Sequence, residues 1–164
     1  MRDAGADDLS PLHLLNQDNR PHVGDVDRTR FDWFAEHACC FRVAWIGAER
    51  VGFMIALDPA ADYGSENFRW FRDRYDHFVY VDRLAVSEAA RRRGVGRALY
   101  RDLAEFAAER APFVTCEVNL RPPNPTSLAF HHTLGFREVG QQETEGGRYR
   151  VSLLLVPPAE LDAR

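Results

Sequence analysis

Tyr80 to Leu103 reads YVDRLAVSEAARRRGVGRALYRDL. Its first half alternates and is rich in β-formers, the pattern of a strand. Its second half repeats apolar residues at helical spacing. Between them lies Arg91-Arg92-Arg93-Gly94-Val95-Gly96, a basic turn that opens directly into a helix. A strand, a turn of backbone N–H groups and a helix N-terminus together make an anion site. The arginines add their charge to the helix dipole at the same point. No Lys-Ser or Lys-Thr follows the glycines, as a Walker loop requires, and Leu99 stands where a Rossmann fingerprint has its third glycine. The stretch alone leaves a plain strand-to-helix turn open as the alternative.

Working outward, His77 to Val86 reads as the strand and Val95 to Arg110 as the helix, with Pro112 ending it. Val95, Ala98, Leu99, Leu103, Phe106 and Ala107 line one helical face, and Arg97, Arg101, Glu105 and Glu109 lie away from it. Downstream, Phe113–Val118 is a strand, Asn119–Pro125 a proline-rich loop, and Thr126–Leu134 a short helix closed by Gly135. Phe136–Gln142 and Arg148–Val156 form a terminal strand pair around Gly146-Gly147. Upstream, Phe41–Ile46 and Arg50–Leu57 flank Gly47-Ala48-Glu49, which predicts a hairpin with a loop of about three or four residues. Phe31, Phe34, Ala35 and Ala38 place a helix over Arg28–Cys40. Leu9, Leu12, Leu14 and Leu15 suggest a short helix after a loose start or a first strand, followed by a loop at Pro21, Gly24 and Asp25. Asp58–Asp76 is an insertion, first a Pro/Gly loop and then a short aromatic helix with Phe68, Trp70, Phe71 and Tyr75. A strand, a helical crossover and another strand argue for a parallel pair inside a mixed α/β sheet covered by helices.

Composition narrows the class. A chain of 164 residues builds one domain with a full core, taken as 1–164 with 58–76 inserted. Its apolar fraction of 45% and charged fraction of 28% are those of an ordinary globular protein. A net charge of −4 provides no global field for nucleic acid or anionic membrane. Nucleic-acid binding through Arg91, Arg92, Arg93, Arg97 and Arg101 would also need basic-aromatic interleaving elsewhere, which is lacking. No apolar run approaches the roughly 20 residues of a membrane span, and MRDAGADDLS lacks the apolar core of a secretory signal. Cys39 and Cys40 are adjacent and Cys116 is distant, an odd count that fits a reducing cytoplasm and small buried residues. The six histidines show no ligand spacing, so no metal is expected.

A second segment, NPTSLAFHHTLGF from Asn124 to Phe136, completes the picture. LAV-x(4)-RRRGVG-x-x-L combined with N-x-x-S-x-x-F-H-x-x-x-G-F resembles the GNAT superfamily of acyl-CoA-dependent N-acyltransferases. The motifs span Val79 to Phe136, and the element order extends the match from about Arg28 to Val156. The resemblance implies a mixed, mostly antiparallel central sheet with a splayed parallel pair, flanked by helices. It implies acetyl-CoA as acyl donor and an amine as acceptor. Leu84, Ala85 and Val86 then match the strand that pairs with the pantetheine arm. Arg91, Arg92, Arg93, Gly94, Val95 and Gly96 match the loop that holds the pyrophosphate, with Arg97 close by. Asn124 matches an asparagine that often contacts the cofactor. The acceptor would enter a wedge between the strands ending near Val86 and Val118.

His131 departs from the family: many members have a tyrosine there that protonates the leaving thiolate. Histidinium is able to do the same, and a neutral imidazole to donate a hydrogen bond at the cofactor; a histidine packed and bonded on its own helix is the alternative. His132 faces elsewhere and reads as solvated. Glu117 resembles a glutamate that acts as general base in some relatives, with a solvated or structural glutamate as its alternative. Tyr80 and Asp82, alternating on the central strand, are fallback candidates for that role. For acceptor recognition the insertion offers Tyr63, Phe68, Trp70 and Tyr75, with Asp62 and Glu66 to attract an amine; an amphipathic helix covering the sheet is the plain alternative. The leading expectation is an N-acetyltransferase that works by direct attack. A catalytically weak acyl-CoA-binding sensor is the competing one, and the small domain with its terminal strands allows a homodimer.

Overall fold

In the computed structural model, which describes residues 1–161, the central strand is β4, Val79–Val86, and the long helix is α4, Val95–Ala108. The apolar stripe is buried as its spacing requires: Leu99, Leu103 and Ala107 are shielded together with Tyr100, while Arg97, Arg101 and Glu105 are exposed. The helix stops before Pro112 because the N–H groups of Arg110 and Ala111 both turn back onto the Ala107 carbonyl.

Ahead of β4 come β1 (Arg2–Asp3), α1 (Leu9–Asp18), α2 (Arg28–His37), β2 (Cys40–Ile46), β3 (Glu49–Leu57) and α3 (Glu66–Arg72). After α4 come β5 (Val114–Arg121), α5 (Pro125–Thr133), β6 (Arg137–Thr144) and β7 (Tyr149–Val156). The sheet order is β1-β2-β3-β4-β5-β7-β6, mostly antiparallel, with β4 and β5 as the parallel pair. The chain divides into two compact units, Met1–Leu57 with Val81–Leu103, and Asp58–Tyr80 with the chain from Ala104 onward. β4 belongs to both.

In the first unit, Phe31 stacks edge-on with Phe41 and Phe53 at 5.8 and 5.7 Å between β2, β3 and α2. Asp8, fully buried, accepts from Arg2, from the Gly5 N–H and from Arg50, which ties β1 and β3 to the turn before α1. Burial works to raise the Asp8 carboxyl, but these three donors outweigh it and hold it at about 2. Arg42 of β2 pairs with Asp102 of α4 at 2.6 Å and with Asp3 of β1. Arg83 of β4 is buried, pairs with Asp82 at 2.8 Å, donates to Asn16 of α1, and lies 4.8 Å over the Phe34 ring. A buried cation needs such partners.

The second unit layers α3 and α5 with β5, β7 and β6. Phe68, Phe71, Phe78 and Tyr80 form an aromatic cluster with centroids 5.4 to 6.2 Å apart. β7 pairs on both sides and is buried over Val151–Leu154, while β6 is outermost.

Several expected boundaries shift: α2 ends at His37 rather than Cys40, because Cys40 pairs with Ala56 in β2, and β6 runs on to Thr144, which pairs with Tyr149. Ile46 pairs with Glu49, so the β2–β3 turn is only Gly47-Ala48, with Gly47 at φ +59°; cross-strand pairing draws Glu49 into the ladder. Asn119 and Arg121 pair with Val151 and Arg150, so β5 runs on through residues read as loop and leaves only Pro122–Asn124 as the connection.

Candidate active site

The basic turn has the backbone geometry of an anion cradle. The N–H of Arg91 bonds to Glu88, and that of Arg93 more loosely to Ala90 at 3.4 Å. Arg92 and Gly94 then take left-handed conformations, φ +59° and +82°. Alternating bends of this kind gather successive N–H groups on one side. A Cβ at Gly94 would meet nothing within 4 Å, so its glycine serves the backbone angle rather than space. The first α4 bond at this end runs from Ala98 to Gly94 at 2.9 Å, so the N–H groups of Val95 and Gly96 precede it as first-turn donors. Arg92, Arg93 and Arg97 are exposed around them, and Arg91 donates to Asn19 at the end of α1, 2.9 Å away. Donors, dipole and cations therefore converge, which fits the two negative charges of a pyrophosphate.

Gly52 of β3 belongs to the same construction, although the sequence reading passed over it. A Cβ there would lie 3.0 Å from the Ala85 carbonyl, 3.1 Å from Val95 Cγ1 and 3.4 Å from Val86 Cγ2. Its missing side chain lets β3 approach the Ala85–Val86 backbone and the start of α4. The available signal was a glycine inside a strand pattern. Ala85 is buried, and Leu84 and Val86 on either side of it are half-buried.

In the second unit, the parallel ladder has two rungs, Val79 with Val114 and Tyr80 with Thr115. Two residues past Thr115, strand alternation returns Glu117 to the same face. There the Tyr80 hydroxyl donates to Glu117 Oε2 at 2.6 Å. Tyr80 is fully buried, its ring 5.4 Å from Phe68 and 6.0 Å from Phe71. Glu117 is half-buried. Thr115 Oγ1, on that face too, is buried with no hydrogen-bond partner among the described residues. Two side chains that sequence offered as separate bases are thus one hydrogen-bonded pair. Asp82, the other fallback, is engaged by Arg83.

Asn124 is the N-cap of α5: its Oδ1 accepts from the Ser127 N–H at 3.1 Å, with Pro125 at the first helical position. Gly135 at φ +93° closes the helix, the N–H groups of Phe136 and Gly135 bonding back to the His131 and His132 carbonyls. His131 is 8% exposed and packs edge-on against Phe136 at 5.2 Å. Its Nδ1 lies 2.7 Å from the Ser127 carbonyl, an acceptor only, so Nδ1 carries the proton. Burial pushes the imidazole down to about 4; the Ser127 bond opposes this and nearby His132 adds to it. Of the two forms the sequence offers, burial favours the neutral imidazole over the histidinium, with the Nδ1 proton directed at its own helix. His132 is exposed, as expected.

The insertion docks on β6. Ser65 caps α3 through the Phe68 N–H, and Asn67 accepts from Gln142 at 3.0 Å. Trp70 lies against Gly140, where an added Cβ would stand 2.6 Å from Cζ2, and the Arg74 guanidinium covers the indole at 4.0 Å. Phe68 has no exposed surface and supports Tyr63 from below at 5.6 Å. Tyr63, Trp70 and Tyr75 are half-buried, and Asp62 and Glu66 exposed. Of the aromatic candidates, then, Phe68 belongs to the core and the other three reach the surface.

Among the described residues, no three His, Cys, Asp or Glu side chains gather to hold a metal, and no helix is long and apolar enough to cross a membrane. A family model, the acetyltransferase (GNAT) family, matches residues 9–136. Among curated proteins none matches the sequence significantly. Solved structures match in fold. The ribosomal-protein-S18-alanine N-acetyltransferase of Escherichia coli shares 18% identity over 95% of this chain and 91% of its own, with a TM-score of 0.70. Ard1 of Thermoplasma volcanium shares 18% over 95% of each chain at 0.76. Arabidopsis thaliana NAA60, in complex with acetyl-CoA, shares 20% over 95% of this chain and 97% of its own at 0.74.

Proposed function

The chain belongs to the GNAT family of acetyltransferases, and on that premise we propose that it is an N-acetyltransferase that delivers the acetyl group of acetyl-CoA to a primary amine by direct attack. The family match runs through both compact units, which supports treating 1–164 as one acetyltransferase domain. The observation that carries the reading is the cradle, where left-handed Arg92 and Gly94 lead into α4 beside the close approach at Gly52.

Acetyl-CoA supplies a thioester, an acyl carbon open to an amine. The chain's own residues do the rest. The first-turn N–H groups of Val95 and Gly96, with Arg92, Arg93 and Arg97, hold the pyrophosphate. Backbone groups of Leu84, Ala85 and Val86 hold the pantetheine arm and polarise the thioester carbonyl. Asn124 reaches the donor through its amide nitrogen, since its oxygen caps α5. Glu117 accepts the proton that an alkylammonium, of usual pKa about 10.4, must lose before it attacks. Tyr63, Trp70 and Tyr75 line the acceptor, with Asp62 and Glu66 drawing in its charge. Among the described residues Cys39, Cys40 and Cys116 form no disulfide, which supports a reducing, cytoplasmic setting.

The test is thiol release from acetyl-CoA against a panel of amines. The panel includes short peptides with free α-amines, because the Escherichia coli neighbour is named for an alanine of a ribosomal protein. Turnover with one acceptor class, and its fall by about a hundredfold with measurable residual activity in Glu117→Gln, is the expected result. Cys116→Ala should leave turnover intact, and complete loss would overturn direct attack in favour of an acyl-cysteine. A second reading, an acyl-CoA sensor, draws on the buried, neutral His131 in the position of a tyrosine acid. Tight acetyl-CoA binding with no thiol release from the whole panel would decide for it.

A further inference from the structure

We propose that Tyr80 is a positioning residue for Glu117: its hydroxyl sets the orientation of the carboxylate that takes the acceptor's proton. The inference rests on the transferase reading above and names how its base is held.

The geometry has three parts. The bond is short, 2.6 Å from the phenol to Glu117 Oε2, and it can run in only one sense between a hydroxyl and an ionised carboxylate. The donor is immobile, because Tyr80 is fully buried and wedged against Phe68 and Phe71. It is also placed by backbone pairing: Tyr80 sits on the second rung of the parallel ladder, opposite Thr115, and its side chain reaches one alternation further along β5. A glutamate on a strand has three rotatable bonds and samples several orientations. A fixed phenol removes that freedom, and a base held within a few tenths of an ångström of its working position acts faster than a mobile one. In the proposed step the proton leaves the acceptor nitrogen and ends on the Glu117 carboxylate, while Tyr80 keeps its own. No oxidant or further reactant is involved.

Tyr80→Phe deletes only the oxygen and keeps the ring in the aromatic cluster, so the variant folds. With acetyl-CoA and the best peptide of the panel, we expect kcat to fall about tenfold while KM for acetyl-CoA stays within about twofold. In the Glu117→Gln background the same change should cost nothing further, because the group that Tyr80 positions is gone. An unchanged kcat in Tyr80→Phe would overturn the proposal. So would a full, independent loss in the double variant, which would make Tyr80 act by itself. A merely structural tyrosine would lower thermal stability without this split between kcat and KM or this non-additivity. If the wild type releases no thiol, the transferase reading fails, and the pair is judged by the ¹³C carboxyl resonance of Glu117, assigned by its loss in Glu117→Gln. Movement of that signal in Tyr80→Phe keeps the pair; a signal that stays put removes it.

Discussion

His131 carries a titration that the fold itself imposes. Its imidazole goes from the usual 6.5 to about 4 on burial, so between those values the unfolded chain binds more protons than the folded one. Stability therefore falls as pH drops through that window, and the loss attributable to this residue reaches about 2 kcal/mol at pH 5. Urea midpoints at pH 7 and pH 5 check this: His131→Gln should lose about 2 kcal/mol less than the wild type over the interval. The Asp8 carboxyl, held at about 2, titrates below the window and does not blur it. Because the imidazole is already neutral, kcat should show no limb from His131 between pH 5 and 8. The position of this histidine was legible in the N-x-x-S-x-x-F-H spacing. Its protonation was not, since that depends on the Ser127 carbonyl and on burial beside Phe136. Asn124 is similar: the spacing marks the residue, while the cap that engages its Oδ1 with the Ser127 N–H is seen only in the fold.

Two elements are held in place by the absence of a side chain. α3 rests on β6 where Trp70 covers Gly140, and a methyl group there would stand 2.6 Å from the indole. Gly140→Ala should therefore force the rigid ring and its helix outward, at a cost of about 1–3 kcal/mol. Thermal melts measure this, and a shift in acceptor preference without a change in KM for acetyl-CoA would assign α3 to acceptor choice. Gly52 performs the same service for the donor elements. Gly52→Val pushes on the Ala85 carbonyl and on Val95, so acetyl-CoA affinity should fall about tenfold or more by calorimetry. An unchanged affinity would separate the cradle from β3. Helices α4 and α5 were readable because an apolar stripe and a C-terminal glycine are local codes, carried by Leu99, Leu103 and Gly135, whereas Pro125, read as loop, opens α5. The extent of β5 was not, because Asn119 and Arg121 become strand only through pairing with β7.

At the level of the whole chain, a ligand that binds only the folded state stabilises it by mass action. Acetyl-CoA at about 100 times its Kd should add about 2.7 kcal/mol, a rise in Tm of several degrees. Arg93→Glu, placing an anion at the exposed rim of the cradle, should abolish most of that rise while leaving the unliganded Tm nearly unchanged. A full shift in the variant would move phosphate binding elsewhere. The donor half of the function was written in order along the chain: a strand, a glycine turn and a helix start lie within the stretch Tyr80–Leu103, and local sequence sets local backbone. The rest came from residues distant in sequence. Tyr80 meets Glu117, Trp70 meets Gly140, Gly52 meets Ala85, and Arg83 meets Asn16 only after the strands have paired and the helices have packed. Periodicity reports which face of an element is buried; it does not report which side chain of another element lies against it. For that reason the acyl donor could be read from a motif, whereas the Tyr80–Glu117 bond and the burial of the histidine were decided by tertiary contacts.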